Sequence, residues 1–152
     1  MEIKDQPKLR FHGVDIINVN FISTSFKKQS KVDIEVEPQV FLPVDQPNIF
    51  KIIMKVNLKG EEHFRLDLVA VGNFEISSDE VTEEIRKTLI NANATAIMFP
   101  YIRAFIATFT ANLGHTTGAI DIPTKFFKGN IKEFNPSAEE ILLNKPAQQS
   151  VE

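Results

Sequence analysis

Residues 92–113 constrain the fold most, because their sequence predicts a helix that is apolar on nearly every side. The apolar side chains fill far more than the stripe of roughly 100° that docks a surface helix onto one core. They are Ile97, Met98, Phe99, Tyr101, Ile102, Phe105, Ile106, Phe109 and Leu113. Such a helix needs cover on two sides. The protein's own sheet can cover one side, and a second copy of the molecule most easily covers the other, which predicts a homo-oligomer.

Two other placements of this helix are open to the chain. A bilayer span also needs about 20 apolar residues, but Arg103 lies near the middle of the segment and Pro100 interrupts its hydrogen-bond ladder. We therefore expect no membrane insertion. Burial inside one monomeric core is the stronger alternative, since 152 residues can form a sizeable core.

Composition argues against several classes of function. The chain has no cysteine, which excludes disulfides and cysteine-based metal sites. Lys and Arg number 17 against 20 Asp and Glu, giving a net charge of −3, and no basic stripe is interleaved with aromatic residues. We therefore expect no nucleic-acid partner. The charged residues 1–10 lack the apolar core of a secretory signal, so we expect a cytoplasmic protein.

The sequence offers little that could carry out catalysis. None of its three histidines forms a ligand-spaced pair such as His-Glu-x-x-His, and its paired acids fall in a turn and on helix surfaces. Its glycines are isolated, so no phosphate-binding loop is present. We expect no catalytic residues, no metal and no cofactor, and hence a protein that is not an enzyme.

Hydrophobic periodicity predicts an α+β domain, a four-stranded antiparallel sheet with the long helix packed on one face. The predicted strands are 11–26, with a bulge near Ile16 and Ile17, then 31–37, 49–58 and 64–76. Because prolines recur at 38, 43 and 47, residues 40–48 are predicted to be an extended loop or a sheet edge through Val40, Phe41 and Leu42.

The second half of the chain carries helix signals. Ser77 and Glu80 have capping-box spacing, which predicts a short helix with Val81, Ile85 and Leu89 on its buried side. Gly114 follows the long helix as a candidate C-terminal cap, and a last short helix is predicted from residue 135. We expect a flexible start at residues 1–8, one domain over 9–143, and a disordered tail at 144–152.

The aromatic composition suggests an apolar ligand. The chain has 13 Phe, one Tyr and no Trp, and the Phe residues occur in nearly every segment. Exposed apolar patches usually mark binding surfaces. An extended chain can be held by strand-edge hydrogen bonds and side-chain pockets, so an unfolded polypeptide is the expected ligand.

Several short motifs resemble the SecB family of protein-export chaperones. Phe99-Pro100-Tyr101, followed by Arg103 and Ile106, is similar to that family's Phe-Pro-Tyr-x-Arg helix signature. Further matches lie on both sides of this helix in the family's order. They are Gly72-x-Phe74-x-Ile76 before it and Gly114, Pro123 and Phe126 after it. The resemblance covers about residues 9–134.

The resemblance implies an ATP-independent holdase, assembled as a dimer of dimers, that keeps precursor polypeptides unfolded in apolar grooves. The positions that would line the client groove are Val40, Phe41, Leu42, Phe50, Ile97 and Phe99. Those that would serve assembly are Tyr101, Arg103, Phe105 and Phe109.

Docking to the SecA motor is a separate property of the family. It uses acids on the outer face of the sheet, and Asn18 and Ile22 stand here in place of two of them. Asp67 matches a third acid, beside Arg65. The chain is therefore expected to hold clients, while SecA as a partner is doubtful. The alternative function is a non-enzymatic adaptor for one specific partner, such as a SecB-like chaperone of a toxin-antitoxin system.

Overall fold

The computed structural model describes residues 9–24, 31–60, 64–77, 81–123 and 131–134. The strands are β1 (Leu9–Ser23), β2 (Asp33–Phe41), β3 (Ile49–Gly60), β4 (Phe64–Ile76) and the two-residue β5 (Lys132–Glu133). The helices are α1 (Glu83–Thr88) and α2 (Thr95–Ala111), which a π-helical turn (Leu89–Ala94) joins into one continuous helical stretch. The predicted α+β class is confirmed.

The strands form a single sheet in the order β1-β4-β3-β2-β5. The four long strands pair antiparallel, as predicted, but β1 pairs with β4 and not with β2, so they do not form the simple meander expected from their order in the chain. The purely antiparallel, four-stranded description is wrong, because β5 pairs parallel with β2 through Gln39 and Val40. Two residues are too short for a period-2 pattern, so this strand leaves no signal in the sequence.

One face of the sheet and one face of α2 form the core. The most deeply buried side chains alternate along β3 and β4 and recur every three or four residues along α2. They include Ile52, Met54, Leu58, Leu66, Leu68, Met98, Ile102 and Ile106. These periods of 2 and 3.6 are the ones expected when a half-buried sheet and an amphipathic helix cover each other.

Strand β1 bends twice as it crosses β4. Its pairing register shifts between Phe11 and Val14 and again between Ile16 and Asn18, so the predicted bulge near Ile16 is confirmed. Gly13 lies at the first shift with φ +108°, a conformation that glycine adopts without strain.

Three local expectations are corrected. β2 continues through Pro38 to Phe41, so Val40 and Phe41 lie in a strand next to the loop rather than within it. The first helix begins at Glu83 with Thr82 as its N-cap, whose hydroxyl accepts from the Ile85 N–H, and not at Ser77. Ile85 is exposed rather than buried.

The C-cap of α2 is Asn112, and Gly114, the predicted cap, lies in the loop that follows with φ +113°. The predicted helix from residue 135, the flexible start at residues 1–8 and the tail at 144–152 lie outside the described residues.

Candidate polypeptide-binding and assembly surfaces

The end of β2 and the first residue after it carry three of the predicted client-binding side chains. Val40 is buried, and Phe41 and Leu42 are half-buried. The chain's own residue Phe134 lies against them. Its N–H donates to the Val40 carbonyl oxygen at 2.6 Å, and its ring meets that of Phe41 edge-on with 5.9 Å between centroids. This surface already holds an extended segment of polypeptide.

The other three predicted client residues are distributed differently. Phe50 has no exposed surface, and its ring stacks on Phe74 at 5.3 Å between centroids. Phe99 is also buried, whereas Ile97 is half-buried near the start of α2. Val40, Phe50 and Phe99 therefore belong to the core of this structure, whereas Phe41, Leu42 and Ile97 keep accessible surface.

Two rows of aromatic rings run from the core of the sheet to α2. In the first row, Phe50 stacks on Phe74, Phe74 lies 5.2 Å from Phe11, and Phe11 lies 5.0 Å from Tyr101. Because Phe11 lies on β1, this row connects the edge strand to the helix. The Phe50-to-Tyr101 row ends at the surface, where Tyr101 is 56% exposed.

The second row joins the far end of β1 to the second half of α2. Phe64 lies 5.3 Å from Phe21, Phe21 lies 6.4 Å from Phe109, and Phe109 stacks on Phe105 at 5.7 Å. Three of the four predicted assembly residues, Tyr101, Phe105 and Phe109, are thus the members of these rows that lie on α2. Sequence reasoning missed the β1 members Phe11 and Phe21, although their place on the inward side of an alternating strand was a usable signal.

Arg103, the fourth predicted assembly residue, makes a contact within the chain. It is half-buried, and its Nε donates to the Ile122 carbonyl oxygen at 2.6 Å. It thereby holds the loop that follows α2 against the helix.

The side of α2 opposite its buried row is uncharged and mostly exposed. We define the outer face of α2 as Ile97, Tyr101, Ala104, Thr108 and Ala111, which recur at spacings of four and three residues. Ile97 is half-buried and the other four residues are exposed. At 100° per residue they lie opposite the buried row of Met98, Ile102 and Ile106. A helix face that meets only water normally carries charges, so this face favours a protein partner.

The solvent-facing side of the sheet carries mixed charge. The Arg65 Nε donates to Asp67 Oδ2 at 2.8 Å, and the Asn57 Nδ2 donates to Asp67 Oδ1. Both oxygens of this carboxylate are therefore in use. Ile22, which pairs with Arg65, is 52% exposed, and Asn18 is exposed on the same strand. Among the described residues around Asp67, the sheet thus lacks a free acidic patch.

By length and composition alone, the helical stretch Glu83–Ala111 could cross a membrane. Core helices of soluble proteins pass the same test, and one side of α2 packs on the sheet. Within the described ranges, no group of three or more His, Asp or Glu side chains could hold a metal ion. The expectations of no membrane insertion and no metal remain predictions.

No protein-family model matches the chain. It is 26% identical over 120 residues to an uncharacterized protein of Methanocaldococcus jannaschii, covering 74% of this chain and 76% of that one.

Among solved structures, the fold is similar to that of the Mycobacterium tuberculosis SecB-like chaperone Rv1957, in complex with a ChAD peptide from the HigA1 antitoxin. The TM-score is 0.63 at 16% identity, over 78% of this chain and 88% of that one. A protein of unknown function from Streptococcus agalactiae aligns with a TM-score of 0.43 at 10% identity. The chain has a SecB-like fold, as its motifs predicted.

Proposed function

We propose that this protein is an ATP-independent chaperone that holds unfolded polypeptides. The observation that carries the proposal is the apolar end of β2 in a SecB-like fold, where Phe41 and Leu42 keep accessible surface beside the two-residue edge strand β5. Apolar side chains next to a strand edge can hold an extended chain of varied sequence, because main-chain hydrogen bonds do not depend on the side chains bound.

The mechanism is mass action. A holdase that binds the unfolded chain lowers the concentration of free unfolded chain, which slows both its folding and its aggregation. No bond is made or broken, so the role needs no cofactor and no catalytic residue.

The proposed assembly is a homotetramer built as a dimer of dimers. Such an assembly needs two different interfaces, and the protomer offers two uncovered surfaces. One is the outer face of α2. The other is the free edge of β1, a 15-residue strand that pairs only with β4 among the described residues and exposes Ile17. Long open edges of this kind tend to be covered by another chain.

Delivery of clients to SecA is not part of this proposal, because Asp67 is held by Arg65 and Asn57. A cytoplasmic location fits a chaperone of this kind and is proposed with it.

A second candidate is an adaptor for one specific partner. The observation that favours it is the antitoxin peptide bound to the SecB-like chaperone Rv1957. An adaptor would bind one protein saturably and leave unrelated unfolded chains alone.

Fluorescence anisotropy separates the two candidates. The probe is reduced and alkylated α-lactalbumin, which is permanently unfolded, and the control is the native, disulfide-bonded form of the same protein. The chaperone proposal predicts saturable binding of the unfolded form and none of the native form. Failure to bind this probe and several unrelated unfolded chains would contradict the proposal and favour the adaptor.

A further inference from the structure

The chain places a short extended segment of its own on the candidate client surface. We call residues 131–134 the strap. Its strand β5 pairs parallel with the end of β2, with Lys132 opposite Gln39 and Glu133 opposite Val40. This two-residue parallel pair is the smallest strand contact among the described residues, and parallel pairing is slightly less stable per residue than antiparallel pairing.

The strap is held at both ends. At its start, the Ile131 N–H donates to Asn91 Oδ1 in the π-helical turn at 2.8 Å. At its end, the Phe134 N–H donates to the Val40 carbonyl oxygen at 2.6 Å, and the buried Phe134 ring packs edge-on against Phe41. Main-chain hydrogen bonds combined with one anchoring side chain are the contacts by which a peptide is added to a sheet edge.

One polar group beside the strap has no partner among the described residues. Gln39 is only 7% exposed, and no residue that the structure describes donates a hydrogen bond to its side-chain Oε1. A buried acceptor without a donor costs free energy. Gln39 lies opposite Lys132 in the pairing register, but Lys132 is exposed, so its charged ammonium group stays in solvent and does not donate to the buried Gln39 oxygen.

We infer that the end of β2 from Gln39 to Phe41 is a strand-addition site, and that a client segment displaces the strap from it. This inference rests on the proposed function. A client segment that fits this site is extended and has an aromatic residue in the place of Phe134. Two residues earlier, in the place of Lys132, it has an Asn or Gln side chain. That amide donates to Gln39 Oε1 and supplies the hydrogen bond that the strap lacks.

Hydrogen exchange of the full-length wild type tests displacement directly. The Phe134 N–H is protected by the Val40 carbonyl oxygen only while the strap is seated. Saturating reduced and alkylated α-lactalbumin should speed exchange at Ile131 and Phe134 by about tenfold or more, and leave β3 and β4 unchanged. Unchanged or slower exchange at these two amides with the client bound would overturn the inference.

Removing the strap's anchor tests the competition. When a binding site is covered part of the time, its apparent Kd equals the intrinsic Kd divided by the fraction of molecules in which the site is free. Phe134→Ala should therefore bind the same client about fivefold more tightly or better. The matched control is Ile122→Ala, which also truncates a buried side chain after α2 but lies outside the strap.

The outcomes separate the two claims. If the wild type binds the client and Phe134→Ala binds it no more tightly than wild type, the strap inference fails while the proposed function stands. If neither protein binds any unfolded chain, the proposed function fails and the inference falls with it.

Paired peptides test the predicted client chemistry. Two synthetic peptides differ only in having Gln or Leu two residues before a Phe. Wild type should prefer the Gln peptide by about fivefold, and Gln39→Leu should show no preference, since its side chain offers no acceptor. An equal preference in both proteins would overturn the role of Gln39.

Discussion

Gly72 of β4 lies directly against Met98 of α2. A Cβ atom built on Gly72 would lie 2.7 Å from the Met98 Sδ and 3.2 Å from its Cγ. Both distances are shorter than ordinary van der Waals contact. The absence of a side chain at this position lets the helix lie close to the sheet.

Substituting Gly72 with Ala should therefore destabilise the fold. Overpacking of this size costs about 1 to 3 kcal/mol of unfolding free energy, which chemical denaturation measures. The control is Met98→Ala, which shortens the side chain opposite Gly72. It should remove part of the overpacking that Gly72→Ala introduces. The double variant should therefore be more stable than the sum of the two single effects predicts. A Gly72→Ala protein as stable as wild type would contradict the close approach.

Tyr101 lies on the outer face of α2 and is the most exposed member of its aromatic row. Tyr101→Asp should weaken assembly, because it places a charge in a surface proposed to be covered by another copy. Light scattering after size exclusion should show a species smaller than that of wild type. Tyr101→Phe keeps the ring against Phe11 and should assemble normally. An unchanged mass for Tyr101→Asp would exclude this helix face as an interface.

Phe41 is the half-buried aromatic residue at the end of β2. Phe41→Asp should reduce the affinity for an unfolded polypeptide by about tenfold, the size expected for an aromatic contact at the centre of a binding surface. The oligomer should survive, because Phe41 lies far along the sheet from the edge strand β1. Val44→Asp is the matched control, since Val44 is fully exposed in the neighbouring loop. An equal loss of client affinity in both variants would indicate an effect of the added charge rather than a binding site at Phe41.

A substitution at Asp67 tests the role of the solvent-facing side of the sheet in stability and partner binding. Asp67→Asn should change the unfolding free energy by less than about 1 kcal/mol, because partly exposed ion pairs contribute little. It should leave client binding unchanged, since the candidate client surface is elsewhere. We also expect no binding of SecA by the wild type. Measurable SecA binding that Asp67→Asn abolishes would show that a single paired acid is enough for docking.

Thr110 connects the end of α2 to the following loop. Its buried hydroxyl donates to the Ile106 carbonyl oxygen at 2.7 Å and accepts from the Ile120 N–H at 2.8 Å. Thr110→Val leaves that N–H without its acceptor, which should cost about 1 to 3 kcal/mol of stability in denaturant unfolding. Thr110→Ser keeps the oxygen and should lose less. Equal stability of wild type and the Val variant would show that the hydroxyl is dispensable.

The sequence predicts the four long strands and the long helix because their buried side chains repeat with periods of 2 and 3.6. It does not predict the π-helical turn Leu89–Ala94, since a local change of backbone register leaves no mark in that pattern. Ser77 and Thr82 are both good N-cap residues, so local preference alone could not choose between them.

The candidate site is only partly visible in the sequence. The resemblance assigns both Phe41 and Phe50 to the client groove. In the structure Phe41 keeps accessible surface, whereas Phe50 lies in the core, because its ring packs on Phe74 of the neighbouring strand. The strap and the unpaired Gln39 Oε1 arise from a contact between distant parts of the chain, which no local pattern encodes.

The central claim is that this protein holds unfolded polypeptides as an oligomer. Its most direct test is light scattering of a chemically denatured protein diluted into buffer with and without this chain, with the mass measured by size exclusion and light scattering. We predict suppressed aggregation by a species with the mass of four 17.2 kDa chains. A monomer that leaves aggregation unchanged would contradict both the assembly and the chaperone function.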